Sequence, residues 1–483
     1  MTRRFGLVWA AAAALWLGGV MPATSLAQEP SEKQQAAKQP ETKAADEEAP
    51  KSGPDTLKVD PGNGVTFSTA DGNYSLNIGF FGQFRAQYLD RDEFRRADTN
   101  PSLPYRVENI GVQEPSFQTR RLRLHFMGNF YRPWMGYKLE LDLADNDEGL
   151  REVFIPSFDT TGGATPSFHV FAGVQEQDQR TVKTRDFYID LHPKSYANLR
   201  FGQFKVPLGR QELVSDYTLQ MAARSIASDF FTPSRDRGFM FYGGTPTNKI
   251  QYRIGAFNGT GLQQGVNLDK SLAYVFRLTA TNKGPYLDYE SLIDAPDSFR
   301  LQGGFSWYQN RNTPERADPT VPIGNVDDTR VSGDVEFWWP HVNLIGEYFT
   351  RKLDVDEGFD LPQTCRGAFL AGRVSCDQSG YTVQAGWLVG KRHEVSARFS
   401  KIDFDQDSEK TRSDETTLNY TCFLKGHAVR WSTSYSIFNT QVNAAGSSGF
   451  NVQALQNDFN LANYTGLDDD HNTLITTQFQ FSF

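Results

Sequence analysis

The stretch Asn472-Thr-Leu-Ile-Thr-Thr-Gln-Phe-Gln-Phe-Ser-Phe483 alternates apolar and polar side chains from Thr473 to a terminal phenylalanine. Successive side chains of a β-strand point to opposite faces. One face is apolar and carries Ile475, Phe479, Phe481 and Phe483. The other is mostly polar and carries Leu474, Thr476, Gln478, Gln480 and Ser482. The pattern predicts a strand of an outer-membrane β-barrel, with one face in lipid and one in water, although a half-buried strand of a soluble β-sandwich would alternate in the same way.

The first 27 residues have the pattern of a secretory signal peptide. Arg3 and Arg4 are followed by an apolar core from Leu7 to Val20 and by the small-residue site Ser25-Leu26-Ala27. This arrangement predicts cleavage after Ala27 and export of the mature chain. A retained transmembrane helix is the alternative, but the core is short and no later run of about 20 apolar residues accompanies it. We therefore expect strands to span the membrane.

The average composition of the chain does not reveal the predicted membrane-spanning strands. The chain is 39% hydrophobic and its mean hydropathy is −0.52, which is typical of a water-soluble protein. A barrel exposes only every second residue of each strand to lipid, so low mean hydropathy is compatible with it. Of the three cysteines, Cys365 and Cys376 share one predicted loop and could pair in an oxidising compartment, while Cys422 lies in a predicted strand.

The chain divides into three predicted parts. The signal peptide, residues 1–27, is followed by a flexible periplasmic tether over residues 28–64, which is rich in Gln, Lys, Glu, Ala and Pro and cannot bury enough apolar surface to order itself. Residues 65–483 form the predicted barrel. A short helix or coiled-coil plug in the tether is the alternative, but its prolines break any long helical register.

Sixteen strands are predicted, and an even number suits a closed antiparallel barrel. They lie near residues 73–89, 116–130, 134–144, 185–192, 196–205, 237–244, 249–257, 271–282, 299–309, 330–339, 341–351, 380–389, 392–403, 415–424, 427–438 and 472–483. The fold class is therefore all-β, a sixteen-stranded antiparallel transmembrane β-barrel. About sixteen strands also predict a water-filled lumen.

Connections between these strands alternate long and short, as expected for long outer loops and short periplasmic turns. Tyr131-Arg132-Pro133 and Gly390-Lys391 are examples of the short turns. Residues 283–298 break the rule, because a turn is expected there and the segment is long. It is either an unusual periplasmic insertion or a sign that the strand count is wrong by a pair.

Several motifs resemble the phosphate-selective porins O and P. The resemblance is carried by Leu199-Arg-Phe-Gly-Gln-Phe-Lys-Val-Pro-Leu-Gly-Arg-Gln-Glu-Leu213, Met221-Ala-Ala-Arg-Ser225, Phe231-Thr-Pro-Ser-Arg-Asp-Arg-Gly238 and Ile254-Gly-Ala-Phe-Asn-Gly259. The segments Asp71–Gly79, Gly380–Val389 and Glu394–Ser400 extend it over nearly the whole barrel. The resemblance implies a homotrimer of sixteen-stranded barrels, each with its third long loop folded inward to narrow the pore.

In this sequence the third loop is 206–236, and the resemblance makes it an anion-binding constriction. The expected residues are Lys205, Arg210, Arg224, Arg235 and Arg237. Arginine suits phosphate because its guanidinium donates two parallel hydrogen bonds to one anion. A salt-bridged brace is the alternative, because Glu212, Asp216 and Asp229 lie in the same loop. The two interpretations stay open for Arg235 and Arg237, whereas exposure to the lumen is favoured for Arg210 and Arg224.

A second basic set is predicted on the inner wall. Leu122, Leu124 and Phe126 share one face of a strand, so Arg121 and Arg123 point the other way. A charge at the lipid midplane costs about 2 to 4 kcal/mol, so these arginines face the lumen. The same alternation places Arg277, Arg398 and Arg430 inward, and Arg85 less securely. The whole set resembles the arginine ladder of the family: Arg85, Arg121, Arg123, Arg277, Arg398 and Arg430. Acidic residues that could oppose it are Glu140, Asp142, Asp186, Asp190, Glu336 and Glu394.

The predicted function follows from these features. We expect an outer-membrane porin for passive diffusion of small anions, phosphate or pyrophosphate among them. The alternatives are a general or sugar-permeable porin and a structural outer-membrane protein. The net charge of −9 argues against an anion channel only at first sight, because much of the acid lies in connections. We expect no catalysis, cofactor, metal or nucleic-acid partner, since the seven histidines are scattered and no hydrolase motif appears.

Overall fold

The computed structural model describes residues 55–60, 62–96, 107–144, 156–158, 168–170, 182–261, 267, 271–312, 326–355, 375–404, 412–441 and 470–483. Two short hairpins are formed by β1 (Thr56–Asp60) with β2 (Gly64–Ser68) and by β6 (Pro156–Phe158) with β7 (Phe168–Val170). Sixteen further strands form a closed antiparallel barrel. They are β3 (Ser75–Arg96), β4 (Val107–Phe130), β5 (Arg132–Asp142), β8 (Lys183–Leu191), β9 (Asn198–Lys205), β10 (Arg235–Gly244), β11 (Ile250–Phe257), β12 (Ala273–Thr281), β13 (Arg300–Asn312), β14 (Val326–Trp339), β15 (Val342–Val355), β16 (Ser375–Val389), β17 (His393–Asp403), β18 (Arg412–Lys425), β19 (Val429–Gln441) and β20 (Asp470–Ser482).

The last strand closes the barrel against the first. β20 pairs with β3 in a register that places Phe479 opposite Phe84 and Gln478 opposite Arg85. The predicted fold class and the predicted strand number are confirmed. Some strands are longer than predicted, because β3 runs to Arg96 and β4 begins at Val107, inside a segment expected to be a loop.

Alternation along the strands separates two environments. In β17, Val395 and Phe399 are exposed on the outer face, whereas Glu394 and Arg398 are buried on the inner face. This is the reverse of a soluble protein and the normal arrangement of a barrel in lipid. Among the described residues, no helix is long and apolar enough to cross a membrane.

Part of the predicted tether is ordered. β1 lies within residues 28–64, and β2 pairs with β3 at the turn end of the barrel. The Ser482 hydroxyl donates to Gly62 O at 3.0 Å, which fixes the hairpin beside the last strand. The predicted signal peptide and residues 28–54 lie outside the described residues, as does Cys365. Cys376 is disulfide-bonded, and Cys422 is a free thiol.

Two inserts enter the barrel from opposite ends. The first is the connection 206–234 between β9 and β10, with the short helices Arg210–Leu213 and Ile226–Phe231. The second is the connection 282–299 between β12 and β13, which contains a 3₁₀ turn over Leu292–Asp294 and lies at the end that has the short turns. The long segment predicted at 283–298 is therefore an insertion, and the strand count is correct.

Candidate pore constriction

The first insert is shaped by a glycine turn. Gly209 has a φ of 77°, and a Cβ at this position would lie 2.7 Å from Thr232 Cγ2. Only glycine therefore fits without strain. The helix Arg210–Leu213 follows at once, and its first two amides donate to the Glu347 carboxylate of β15. The barrel wall thus fixes the point at which the insert crosses the lumen.

The second helix of the insert, Ile226–Phe231, is attached to the opposite wall. Ser225 accepts a hydrogen bond from Ser228 N at 3.1 Å and caps its N-terminus. The Ile226 amide donates to Glu415 Oε2 of β18 at 2.9 Å. The apolar side chains of the helix pack in a buried cluster with Phe349, Ile402, Phe404, Phe438 and Leu474. The insert therefore spans from β9 to the far side of the barrel.

Three arginines converge on one carboxylate, that of Asp216 in the insert. Asp216 Oδ2 lies 3.1 Å from Arg121 Nε and 2.7 Å from Arg123 Nη1. Asp216 Oδ1 lies 2.6 Å from Arg224 Nη1. All four side chains are buried. Burial alone would raise the pKa of the Asp216 carboxyl, but Arg121, Arg224 and Arg123 hold that pKa well below its usual range.

The other predicted constriction residues are placed differently from one another. Lys205 Nζ donates to Glu212 O at 2.6 Å and to Val214 O at 2.8 Å. Arg235 is buried and pairs with Asp186 Oδ1 at 2.8 Å, which corresponds to the brace interpretation. Arg237 is exposed and shares the outer face of β10 with Phe239 and Phe241. Arg237 is therefore placed outside the lumen, because strand alternation continues to that residue.

Arg210 and Arg224 are not exposed to the lumen, contrary to the expectation from the sequence. Arg210 lies 3.1 Å from Glu290 and 2.6 Å from Glu336, and only 2% of its side chain is exposed. Arg224 pairs with Glu212 at 3.2 Å in addition to Asp216. The acidic partners of Arg210 come from the second insert and from the wall, so their proximity could not be seen in the loop sequence. The partners of Arg224 lie in its own loop, as the salt-bridged brace interpretation allowed.

Three ladder arginines hold the insert by its backbone. Arg398 donates to Ala223 O at 2.9 Å and to Arg224 O at 3.1 Å. Arg430 donates to Leu219 O at 2.6 Å, and Arg85 donates to Ala222 O. Two of the four accepting carbonyls belong to alanines, Ala222 and Ala223, whose side chains are small. No sequence signal pointed to this role, because a backbone carbonyl has no residue signature.

The remaining ladder residue, Arg277, lies apart from the first insert. Its Nη2 atom is 2.8 Å from Asp334 Oδ1, and both side chains are almost fully buried. Its Nη1 atom donates to Ser306 Oγ at 2.8 Å. Acidic residues named from the sequence also oppose the basic wall: Arg123 pairs with Glu140 and Asp142, and Lys138 pairs with Asp186.

The inserts fill the side of the described lumen that adjoins the far wall. Inward side chains of the far wall, which would be wet in an open pore, are almost completely buried, as Gln384 at 1%, Ser400 at 0% and Thr417 at 2% illustrate. On the side of β5, β8 and β9, inward side chains stay partly exposed, as Lys138 at 21% and Arg200 at 19% illustrate. The inserts therefore narrow the lumen, and the prediction of an aqueous lumen from strand number stays a prediction.

Acidification is expected to hold the first insert more firmly. Burial raises the pKa of the Asp229 carboxyl to about 6, Glu212 reinforces the shift, and Arg224, Arg120 and Arg398 oppose it. The docked carboxyl binds its proton more tightly than the free segment does, so this stabilisation is complete below the ordinary pKa of about 4 and is lost as pH rises through about 6. Channel conductance should therefore be lower at pH 5 than at pH 7.5.

The matched variant is Asp229→Asn, which resembles the protonated state. We expect its conductance to be low at both pH values. A pH response that persists in Asp229→Asn would show that another group controls it. The measurement is single-channel conductance in planar bilayers at constant ionic strength.

The closed sixteen-stranded wall, its apolar outer face and its inward-folded third connection define a porin-type outer-membrane β-barrel. The family model for phosphate-selective porin O and P matches residues 105–291, so the resemblance seen in the motifs is confirmed over that part of the chain.

Individual relatives are distant. An uncharacterized protein of Aquifex aeolicus (strain VF5) is 20% identical over 349 residues, which cover 68% of this chain and 77% of that protein. The anion-selective porin of Comamonas acidovorans is similar in structure, with a TM-score of 0.50, 13% identity and coverage of 85% of this chain and 100% of that one. OmpT of Vibrio cholerae has a TM-score of 0.46, 10% identity and coverage of 84% and 98%. These structural likenesses concern the fold.

Proposed function

We propose that this outer-membrane porin lets small anions, phosphate or pyrophosphate among them, diffuse passively through a constriction formed by the 206–234 insert. The observation that carries the proposal is the convergence of Arg121, Arg123 and Arg224 on the Asp216 carboxylate. These three arginines thus already bind one oxyanion, the Asp216 carboxylate of the chain itself. Phosphate offers the same paired oxygens to guanidinium groups.

A cation without a close carboxylate supports an anion preference. Arg430 is held by a backbone carbonyl oxygen, and among the described residues no carboxylate lies within ion-pair distance of it. Arg121, Arg123 and Arg224 share Asp216, although two of them also have acidic partners of their own. Positive charge that is only partly offset favours anions over cations in a low-dielectric cleft.

The proposal is tested by block of chloride current with inorganic phosphate in planar bilayers. We expect chloride conductance to fall as phosphate is added from either side. A conductance that does not respond to phosphate would favour a general porin. Absence of any channel would favour a structural protein, for which the burial of the far inner wall under the inserts is the supporting observation.

A pair of arginine variants tests the assignment of the constriction. Arg224→Gln should reduce the anion-to-cation permeability ratio by about tenfold, because the Glu212 and Asp216 carboxylates lose a positive partner and make the constriction less positive. Arg237→Gln should leave that ratio unchanged, since Arg237 lies on the outer face. Equal effects of the two substitutions on the reversal potential would contradict the placement.

Export and assembly complete the proposal. Cleavage after Ala27 would give a mature chain that begins at Gln28, which mass spectrometry of the outer-membrane protein would detect. The homotrimer is what the family resemblance implies. Chemical cross-linking in detergent should give a ladder that ends at three subunits.

A further inference from the structure

The second insert, residues 282–299, is joined to the inner wall by a series of polar contacts. Tyr286 Oη lies 2.6 Å from Asp334 Oδ2 and 2.8 Å from Glu336 Oε1. Gln302 of β13 exchanges two hydrogen bonds with the Leu287 backbone, at 3.0 and 3.1 Å. Near the end of the insert, Asp294 accepts from His427 Nε2 at 2.9 Å. These partners lie on several different strands, so the insert bridges the lumen.

Glu394 of β17 provides a further polar anchor at the middle of the insert. Its Oε2 atom accepts from Ser291 Oγ at 3.0 Å and from Leu292 N at 2.8 Å. Glu394 and Ser291 are both buried. One wall carboxylate thus fixes the start of the 3₁₀ turn.

Apolar packing accompanies these polar contacts. Leu292 is buried against Trp338, Leu388 and Phe423, and the Tyr289 ring packs edge-on against Trp338 with centroids 5.5 Å apart. Leu287, Ile293 and Ala295 of the insert pack against the same cluster. The second insert is therefore held by apolar packing and by polar contacts together.

The two inserts contact each other inside the barrel. Glu290 lies 3.1 Å from Arg210 Nη1 and accepts hydrogen bonds from Gln211 Nε2 at 3.0 Å and Gln220 N at 3.2 Å. Arg210 Nη2 also donates to Tyr289 O at 2.7 Å. One carboxylate of the second insert therefore holds both limbs of the first insert.

We propose that residues 283–298 form a plug that closes the lumen from the turn end and is latched to the constriction insert through Glu290 and Arg210. Release of this latch frees both inserts and opens the channel. The plug proposal rests on the proposed function only because it needs the barrel to contain a channel. It does not depend on which ion passes. The turn end faces the periplasm in barrels of this kind.

The latch is tested by thiol accessibility. In a Cys422→Ser background, Ser291→Cys places a thiol at a position with 0% exposure, and Asp288→Cys places one at an exposed position of the same segment. With a membrane-impermeant methanethiosulfonate added to purified trimers or monomers in detergent, Asp288→Cys should react quickly and Ser291→Cys slowly.

Charge removal at the latch should then expose the buried thiol. Adding Glu290→Gln should accelerate modification of Ser291→Cys by about tenfold or more, because a charged hydrogen-bond acceptor is lost. Adding Asp288→Asn instead, an equal change of charge at an exposed residue, should not. Equal modification rates in these two variants would overturn the latch.

Conductance provides the second measurement. Replacing residues 286–295 by a short Gly-Ser turn should raise single-channel conductance and open probability, and Glu290→Gln should raise open probability alone. Unchanged conductance and open probability in the turn variant, or no channel at all, would overturn the plug. If the turn variant conducts more but shows no anion preference, the plug stands and the proposed anion function fails.

Discussion

Asp216→Asn should increase phosphate affinity at the constriction and weaken the first insert at the same time. The carboxylate lies within 3.1 Å of one guanidinium nitrogen of Arg121 and closer to nitrogens of Arg123 and Arg224. Without its charge the arginines repel one another and attract an external anion. We expect the phosphate concentration for half-maximal block to fall about tenfold, and the free energy of unfolding to fall by about 3 to 5 kcal/mol.

Chloride-current block and urea unfolding in detergent micelles provide these two values. Asp377→Asn is the control, because it removes the same charge from an exposed position of β16. Weaker phosphate block in Asp216→Asn than in the parent would contradict the account, because Asp216 would then assist anion binding instead of competing with it.

Asp334→Asn should destabilise the barrel strongly without acting on the arginine cluster around Asp216. The side chains of Asp334 and Arg277 are 0% and 1% exposed and lie 2.8 Å apart. Removing one partner of a buried ion pair leaves an uncompensated charge, which costs about 3 to 5 kcal/mol. Tyr286 also loses an acceptor, so the plug is weakened as well. Urea unfolding followed by tryptophan fluorescence gives the free energy.

A double variant separates ion pairing from simple loss of packing. Arg277→Met combined with Asp334→Leu removes both charges, and it should recover most of the stability, because apolar replacement of a buried pair is often neutral. If Asp334→Asn alone lowered the free energy of unfolding by less than about 1 kcal/mol, the Arg277–Asp334 pair would have to be hydrated. Such a result would contradict the burial of the pair.

The barrel was predictable from the sequence because its determinants are local. Alternation in Asn472–Phe483 identifies the closing strand, and the cost of a charge in lipid fixes the direction of Arg121, Arg123 and Arg277. The inserts were not predictable in the same way. Asp216 contacts arginines about one hundred residues earlier in the chain, and Glu290 meets Arg210 only because two connections enter one lumen. Strand alternation also gives no information about the direction of a side chain once the chain leaves the sheet.

Arg237 illustrates a different source of error. The family resemblance groups Arg235-Asp236-Arg237 as one motif, but β10 begins at Arg235 and its alternation places Arg237 beside Phe239 on the outer face. The predicted strand 237–244 already gave Arg237 the same parity as Phe239 and Phe241, so alternation would have placed it on the outer face without the motif.

The central claim is that the conducting state of this barrel prefers anions. The zero-current potential of a single channel in a KCl gradient measures this preference directly, and the plug-shortened variant provides a channel if the parent rarely opens. We predict a potential whose sign corresponds to chloride as the more permeant ion, with a shift toward zero in Arg224→Gln. A potential of zero, or one of the sign expected for potassium, would contradict the account.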